Sequence, residues 1–314
     1  MESKEHRPKW KTPLAFVIIY LVWGSTFLAI RIGVCEAPPF LLAGIRFLVA
    51  GLLLVGWMMA KGERIPTTRQ WRAILLLAAG IFAGDYGLVF WSEQRVPSGV
   101  TAVMLALIPV FIALSEIIFL RTRRLTVRLG IALLIGIAGV AVLVSRSLNF
   151  GTAAVDRTGA IALIIAAISW SVASVISRTL PLPESKVMSS GAQMLAGGGL
   201  LLATAAALGE FHDFHPMAIS RAAWFALAYL IVFGSIVAFT AYVWLIHHES
   251  PTKVGTYAYV NPVVAVLLGY AYGGEGLGPR TILGTVCVLI SVLVITTTPA
   301  KRAAAGATAV DETA

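Results

Sequence analysis

Charge is scarce in this sequence. Charged residues make up 12% of its 314 positions, about half the share of an ordinary soluble domain, while hydrophobic residues reach 58%. A water-soluble chain of this size could not cover its surface with so few charges, which sets aside a soluble all-α protein with an oversized core. Cysteine is nearly missing as well. Cys35 and Cys287 fall in different halves, one beside the end of an apolar stretch and one well inside another, an arrangement that speaks against a disulfide and leaves no metal-binding spacing. No G-x4-G-K-S/T loop occurs, so the chain does not hydrolyse ATP through a P-loop. Long polar connections are lacking, so no soluble domain is inserted. No small-x-small cleavage site follows the first apolar stretch, which is expected to remain as a helix.

What fills the chain is ten apolar stretches. They run over about 13–33, 38–60, 71–91, 97–120, 126–145, 158–179, 186–208, 222–245, 252–272 and 279–297. Most are close to the ~20 residues that ~30 Å of hydrocarbon requires of a helix. The expected fold class is therefore an all-α polytopic membrane protein. Its parts are a tail over 1–12, a first five-span half over 13–145, a polar linker over 146–157, a second half over 158–297 and a tail over 298–314. The two tails read as disordered.

The halves echo one another. Trp23 and Arg31 match Trp170 and Arg178 at an offset of 147, which also pairs Arg46 with Gln193 and Gly51 with Gly198. An offset of 153 then pairs Trp71 with Trp224, Trp91 with Trp244 and Pro109 with Pro262. Five spans per half is an odd number, so the second half crosses the bilayer in the opposite sense. Inverted repeats around a central cavity are the architecture of many secondary transporters.

Basic residues give the orientation. With the N-terminus in the cytoplasm, 17 of the 24 Lys and Arg fall on the inner side and six on the outer, with Arg46 left inside the bilayer. This predicts both termini inside. The formal charge of +9 sits at span ends without interleaved aromatics, which fits an anionic membrane surface and not a nucleic acid.

The candidate chemistry lies at depth. Trp23 and Trp170 fall near the middle of their spans, about 15 Å from either face, whereas tryptophan usually occupies the headgroup belt, as Trp10, Trp57, Trp71 and Trp91 are expected to do. Two readings stand: opposite walls of a cavity that stack on a ring or hold an ammonium by cation–π attraction, or packing between helices. Arg46 and Asp85 each lie about 12 Å from the outer face. A lone charge there is expensive, so each is expected to face the bundle interior with a partner. Either the two form a structural ion pair, or Arg46 clamps a substrate carboxylate while Asp85 exchanges a proton. Tyr86, Tyr242, Tyr257, Tyr259 and Asn261 add polar groups, and Tyr257 and Asn261 share a face at i and i+4. Pro109 and Pro262 each remove a helical hydrogen bond mid-span and are candidate hinges, the alternative being fixed bends.

Other signals carry less. Glu93 and Glu116 fall near helix ends, within expected reach of water. The sets His212, Asp213, His215 and His247, His248, Glu249 lie at loop positions where solvated histidines are ordinary, so no metal is expected. Gly80-x3-Gly84 and Gly269-x3-Gly273 permit close helix approach.

Several stretches together resemble a known family. They are Trp23-Gly24-Ser25-Thr26-Phe27 with Arg31, Ala43-Gly44-Ile45-Arg46-Phe47-Leu48, Val96-Pro97-Ser98-Gly99 leading to Pro109, and Tyr257-Ala258-Tyr259-Val260-Asn261-Pro262 with the Val263–Val266 run after it. These are similar to the EamA-domain transporters of the drug/metabolite transporter superfamily, in its YedA-like branch, over about residues 13–297. The resemblance implies ten helices in two inverted halves, arranged like a basket around a cavity that moves small metabolites, amino acids among them, often outward. The positions it marks are Trp23, Ser25, Arg46, Pro109, Tyr257, Asn261 and Pro262. In that branch an uncharged polar residue such as asparagine stands where this chain has Asp85, so substrate and coupling do not carry over directly.

The expectation is an inner-membrane exporter of small amphipathic metabolites, such as amino acids, that alternates access between its halves and works as a monomer without cofactor or metal. Its substrate-binding candidates are Trp23, Ser25, Arg46, Tyr86, Trp170, Gln193, Tyr257 and Asn261, with Asp85 the candidate proton site. A rival is an exporter of cationic drugs, in which Asp85 or Glu116 binds the cation. A membrane enzyme or lipid-handling protein would need a convergent nucleophile, acid/base or metal set, and the sequence shows none.

Overall fold

The computed structural model describes residues 10–120, 126–144, 155–212, 214–248, 254 and 257–296. Ten long helical spans run through them. The first, α1 (Lys11–Val34), is apolar on all sides, as suits a helix with protein on one face and lipid on the other. Next comes α2 (Pro39–Ala60), with Pro39 in its opening turn, where its missing N–H costs nothing. The third span, α3, covers Thr68–Glu93. It starts three residues ahead of the hydropathy boundary at Trp71 because Thr67 and Gln70 form a reciprocal capping box. From Ala79 to Gly87 it widens into a π-helix. The fourth, α4 (Ser98–Leu120), is interrupted between Leu105 and Ile108. Then follow α5 (Val127–Val144), α6 (Arg157–Thr179) and α7 (Lys186–Ala207). The eighth, α8, joins Arg221–Tyr229, a π-helical stretch Leu230–Val237 and Ala238–His248. The last two are α9 (Tyr257–Tyr272) and α10 (Pro279–Thr296).

By length and composition six spans suffice to cross a membrane, α1 to α4, α6 and α8, and apolar stretches of α5, α9 and α10 are shorter. Large apolar side chains such as Leu53, Ile118, Leu134, Phe225, Leu267 and Leu283 stand on the outside of the bundle. An aqueous surface would not carry such a belt; lipid requires it. The molecule is a multi-pass membrane protein.

Glycines set the central contact, between α2 and α7. A Cβ on Gly44 would meet Leu202, and one on Gly191 would meet Leu54 and Val55. A Cβ on Gly51 would strike the backbone nitrogen of Leu195 at 2.5 Å, and one on Gly198 would strike that of Leu48. Position 44 thus faces 202 while 51 faces 195, so the two helices pack antiparallel. Each contact also reappears when its residues are exchanged for their partners at the 147 offset. The other interfaces mirror one another: α1 packs on α8 and α9 as α6 packs on α3 and α4, and α5 lies against α10.

One end of the bundle is stapled by carboxylates that cap helix N-termini belonging to the other half, where backbone N–H groups and the helix dipole favour negative charge. Glu275 accepts from the backbone N–H of Ser98 (2.6 Å) and Gly99 (3.0 Å) at the start of α4. Glu210 does the same at α2 through Leu41 (2.8 Å). Glu36 accepts from both the N–H and the hydroxyl of Ser220 (2.7 Å each), the N-cap of α8. These bonds from the Ser220 backbone and hydroxyl hold the Glu36 carboxyl below its usual value near 4.5.

Two glycine expectations separate here. Gly80 and Gly84 do admit α6, whose Ser169 hydroxyl bonds the Gly80 carbonyl at 2.8 Å. Gly269 instead makes room for the Glu275 carboxylate, so the second glycine pair seats a cap and not only a helix. Of the histidine sets, Asp213, Glu249 and the side chains of His247 and His248 lie outside the described residues, as do residues 1–9, the second tail and most of the linker, whereas Lys11 and Thr12 of the expected first tail belong to α1.

Candidate substrate cavity

A cavity of about 140 Å3 lies between the halves, close to the ~150 Å3 that holds a benzene ring in an engineered core. Trp23, Thr26 and Phe27 of α1 line it, with Arg46 of α2 and Asp85, Tyr86 and Val89 of α3. Pro109 of α4, Trp170 of α6, and Tyr257, Asn261 and Pro262 of α9 complete the wall. Nine residues expected at depth therefore meet in one place.

Arg46 is 2% exposed. Its Nε donates to the Ser235 hydroxyl at 3.0 Å, and its guanidinium carbon lies 4.6 Å from the Phe47 ring centre and 5.5 Å from that of Tyr86. Nη1 has no hydrogen-bond partner among the described residues, and neither does Oδ1 of Asp85, itself 4% exposed. The structure does not form the Arg46–Asp85 ion pair that the sequence suggested. The π-helical stretch of α8 brings Ser235 to Arg46 instead, and aromatic rings enclose the rest of the guanidinium.

That stretch organises both halves of the site. The Gly234 carbonyl accepts the Trp23 indole N–H at 3.3 Å, and the Ser235 hydroxyl donates to the Leu230 carbonyl at 3.0 Å. A side chain at 234 would press on Thr26 at 3.0 Å and on Nη2 of Arg46 at 3.1 Å, so glycine lets the guanidinium approach the helix. The 153 offset carries the π-helical stretch of α3 onto that of α8 with an overlap of most of its length. Such π-helical turns occur often at functional sites.

Aromatic packing fixes the remaining wall. The Trp23 ring lies 5.2 Å from both Tyr242 and Tyr257, and Trp170 meets Tyr86 edge-on at 5.9 Å. The Asn261 amide nitrogen donates to the carbonyls of Tyr257 and Tyr20 at 3.2 Å. Pro262 sits within α9 and has no N–H to offer the Ala258 carbonyl. Pro109 enters just after the break in α4, in the first turn of the Ile108–Ser115 segment.

Some expected residues lie elsewhere. Ser25 points from the cavity to α8, where its hydroxyl bonds that of Tyr229 at 2.6 Å. Gln193 donates to Ser189 on its own helix at 3.1 Å and does not line the cavity. The Tyr259 side chain lies outside the described residues. Glu116 pairs with Arg178 at 2.7 Å. Glu93, expected to reach water, has none of its surface exposed. Gly234 and Ser235 went unread in the sequence, and Thr26 was read only as part of the first motif. The signal was a Gly-Ser pair inside an otherwise apolar run, in the half opposite Arg46.

The sequence profile of the EamA-like transporter family matches residues 10–145 and again 157–297. The uncharacterized inner membrane transporter YedA of Escherichia coli (strain K12) is 38% identical over 284 residues, covering 90% of this chain and 89% of its own length. This chain belongs to the EamA-like transporter family. Other relatives of this EamA transporter include the uncharacterized transporter YoaV of Bacillus subtilis, 21% identical over 93% of this chain and 99% of that one. Protein PecM of Dickeya dadantii is 25% identical, covering 87% and 88%. A solved crystal structure superposes with a TM-score of 0.59 at 23% identity, over 90% of this chain and 95% of the other, a likeness of fold. The protein is thus a membrane transporter and not an enzyme, with a bilayer as its solvent and small molecules as its cargo.

Proposed function

We propose that this EamA transporter exports small amphipathic metabolites, amino acids or their close relatives, across the cytoplasmic membrane by alternating access between two inverted five-helix halves. The observation that carries the reading is Arg46: a buried guanidinium with Nη1 unpartnered among the described residues, set in an aromatic cavity of benzene-like size. A carboxylate supplies the missing partner and the fork geometry favours it. Trp23, Tyr257 and Trp170 then enclose the apolar part of the same molecule, and Asp85 is the candidate proton site.

The antiparallel α2–α7 contact and the mirrored interfaces support the inverted relation of residues 13–145 to 158–297. The excess of basic residues on one side supports both termini in the cytoplasm. Pro109 and Pro262, one in each half beside the cavity, are the hinges in this reading. Both halves belong to one chain, so a monomer suffices.

Arg46→Ala tests the proposal. In proteoliposomes loaded with a 13C-labelled mixture of the standard amino acids, it should abolish efflux while leaving folded yield largely intact. Efflux that survives makes Arg46 structural and removes this mechanism. One observation favours a second reading, export of cationic drugs: Asp85 lines the same cavity, and its Oδ1 has no hydrogen-bond partner among the described residues. Asp85→Asn separates the two. Drug resistance of expressing cells should vanish with it, whereas an amino-acid carrier retains exchange.

A further inference from the structure

Glu93 ends α3 at the stapled end of the bundle, where a carboxylate would ordinarily reach water. Here it is wholly buried, and neither Oε1 nor Oε2 has a hydrogen-bond partner among the described residues. The helix end cannot carry it outward. The Glu93 carbonyl accepts from the Arg31 guanidinium on α1, and the neighbouring Ser92 hydroxyl donates to the Gly159 carbonyl on α6 at 3.1 Å. Arg31 therefore spends a donor on the backbone while the carboxyl beside it has none.

The titratable groups close enough to act on this carboxyl through their charge are Arg31 and Cys35 of α1 and its end, Arg46 of α2 and Glu275 from the turn before α10. From α6 comes Gly159, which does not titrate. Glu93 lines neither the central cavity nor the groove beside Glu275. A proton needs no space. It also supplies the donor that the site lacks.

Its place on α3 connects it to the cavity. Asp85, Val89 and Glu93 follow one another at i, i+4 and i+8, and the first two line the cavity wall. At 1.5 Å per residue positions 85 and 93 are separated by about 12 Å along the helix. The Arg46 guanidinium lies over the rings of Tyr86 at 5.5 Å and Phe90 at 5.9 Å, two residues that fall between Asp85 and Glu93 along α3. A buried ionisable side chain in a membrane helix marks a proton or ion path more often than a structural one.

We propose that Glu93 binds and releases a proton during transport, as the outer station of a path whose cavity station is Asp85, with Arg46 over the stretch of α3 that joins them. The assignment rests on the transport reading above and adds a second carboxyl to it. A proton on Glu93 removes the charge that acts on Arg31 and Arg46, and its loss restores it, so its occupancy is sensed at the guanidinium that binds substrate.

The test uses full-length protein in proteoliposomes and the reagent dicyclohexylcarbodiimide, which adds to a carboxylic acid buried in apolar surroundings. The acid's proton goes to a carbodiimide nitrogen, its oxygen bonds the central carbon, and the O-acylisourea rearranges to a stable N-acylurea of the same mass. Peptide mapping by mass spectrometry should find the adduct on Glu93. Above its titration midpoint the yield should fall about tenfold per pH unit, as the acid form does. Glu93→Gln should abolish the acceleration of amino-acid-mixture efflux by a pH gradient, and Glu93→Asp should restore part of it.

A Glu93 that stays unmodified at every pH, or an E93Q protein still driven by the gradient, overturns the proposal. Because the labelling uses wild-type protein, a failure of E93Q to fold leaves the proposal open to refutation. Gradient-driven efflux by E93Q removes the role of Glu93 and leaves the transport reading intact. Labelling of Glu93 without efflux of any amino acid sinks the transport reading alone.

Discussion

Ser235→Ala removes one oxygen and should weaken substrate binding while leaving the fold in place. The hydroxyl accepts the Nε of Arg46 at 3.0 Å and donates to Leu230 at 3.0 Å. A hydrogen bond to a charged group contributes about 1.5–3 kcal/mol, and each ~1.4 kcal/mol is tenfold in an equilibrium constant. The Phe47 and Tyr86 rings still hold the guanidinium by cation–π contacts of about 0.5–2 kcal/mol each, so part of its orientation survives. The expected outcome is therefore a rise in KM and in Kd of roughly ten- to a hundredfold, with the maximal efflux rate changing less. Ser235→Thr keeps the hydroxyl and should lie closer to wild type. Proteoliposome efflux gives KM, and equilibrium binding to purified protein gives Kd, which separates affinity from turnover. Loss of thermal stability with KM and Kd unchanged would refute the claim that Ser235 positions Arg46 for substrate.

The other expectations are simpler. Gly51→Ala and Gly198→Ala drive a methyl group into facing backbone at the α2–α7 contact and should each cost about 1–3 kcal/mol. Gly199→Ala, which faces open space, should leave the melting temperature in detergent unchanged. Gln193→Ala should leave KM within about twofold of wild type, since the residue bonds its own helix away from the cavity. Glu36→Gln tests the staple at α8. Bonds from Ser220 lower the folded-state pKa of Glu36, so its contribution is present above the usual value near 4.5 and is lost as pH falls through the folded pKa. The stability of E36Q, followed by thermal melts across that window, should depend less on pH than that of wild type.

The ten spans were legible because lipid imposes one rule on every crossing segment: about 20 residues, apolar, with hydrogen bonds closed internally. At the start of α3 local capping by Thr67 and Gln70 overruled hydropathy and moved the boundary three residues. The site was legible where the price of burial is visible in one residue. Arg46, Asp85 and the mid-depth indoles of Trp23 and Trp170 are conspicuous because a bilayer tolerates them only for a reason. Partnerships were not legible. Which oxygen accepts from Arg46 depends on how α8 winds, and Leu230–Val237 carries no proline or charge to announce a π-helical turn. Ser25 shows the converse: its motif marks it, yet the angle of α1 turns its hydroxyl toward Tyr229 and away from the cavity.

The same comparison explains why Glu93 was misread while Asp85 was not. Depth along a helix was the criterion, and by that measure Glu93 lies at the end, level with water. Lateral cover decided its environment instead. The Arg31 clamp, the Ser92–Gly159 bond and the Glu275 cap bring α1, α6 and the start of α4 together over the end of α3, and they bury a residue that the hydropathy profile leaves outside. In a helical bundle of this kind, burial at a span end is thus a property of the cross-half caps. Opening that end during alternating access would have to release those caps, and it would uncover Glu93 in the same movement. That gives a check independent of chemistry at Glu93: substituting glutamine at Glu275 should loosen the start of α4 and raise hydrogen exchange at both Gly99 and Glu93. If Gly99 exchanges faster while Glu93 stays protected, the caps and the burial of Glu93 are separate features, and the link between opening and proton access fails.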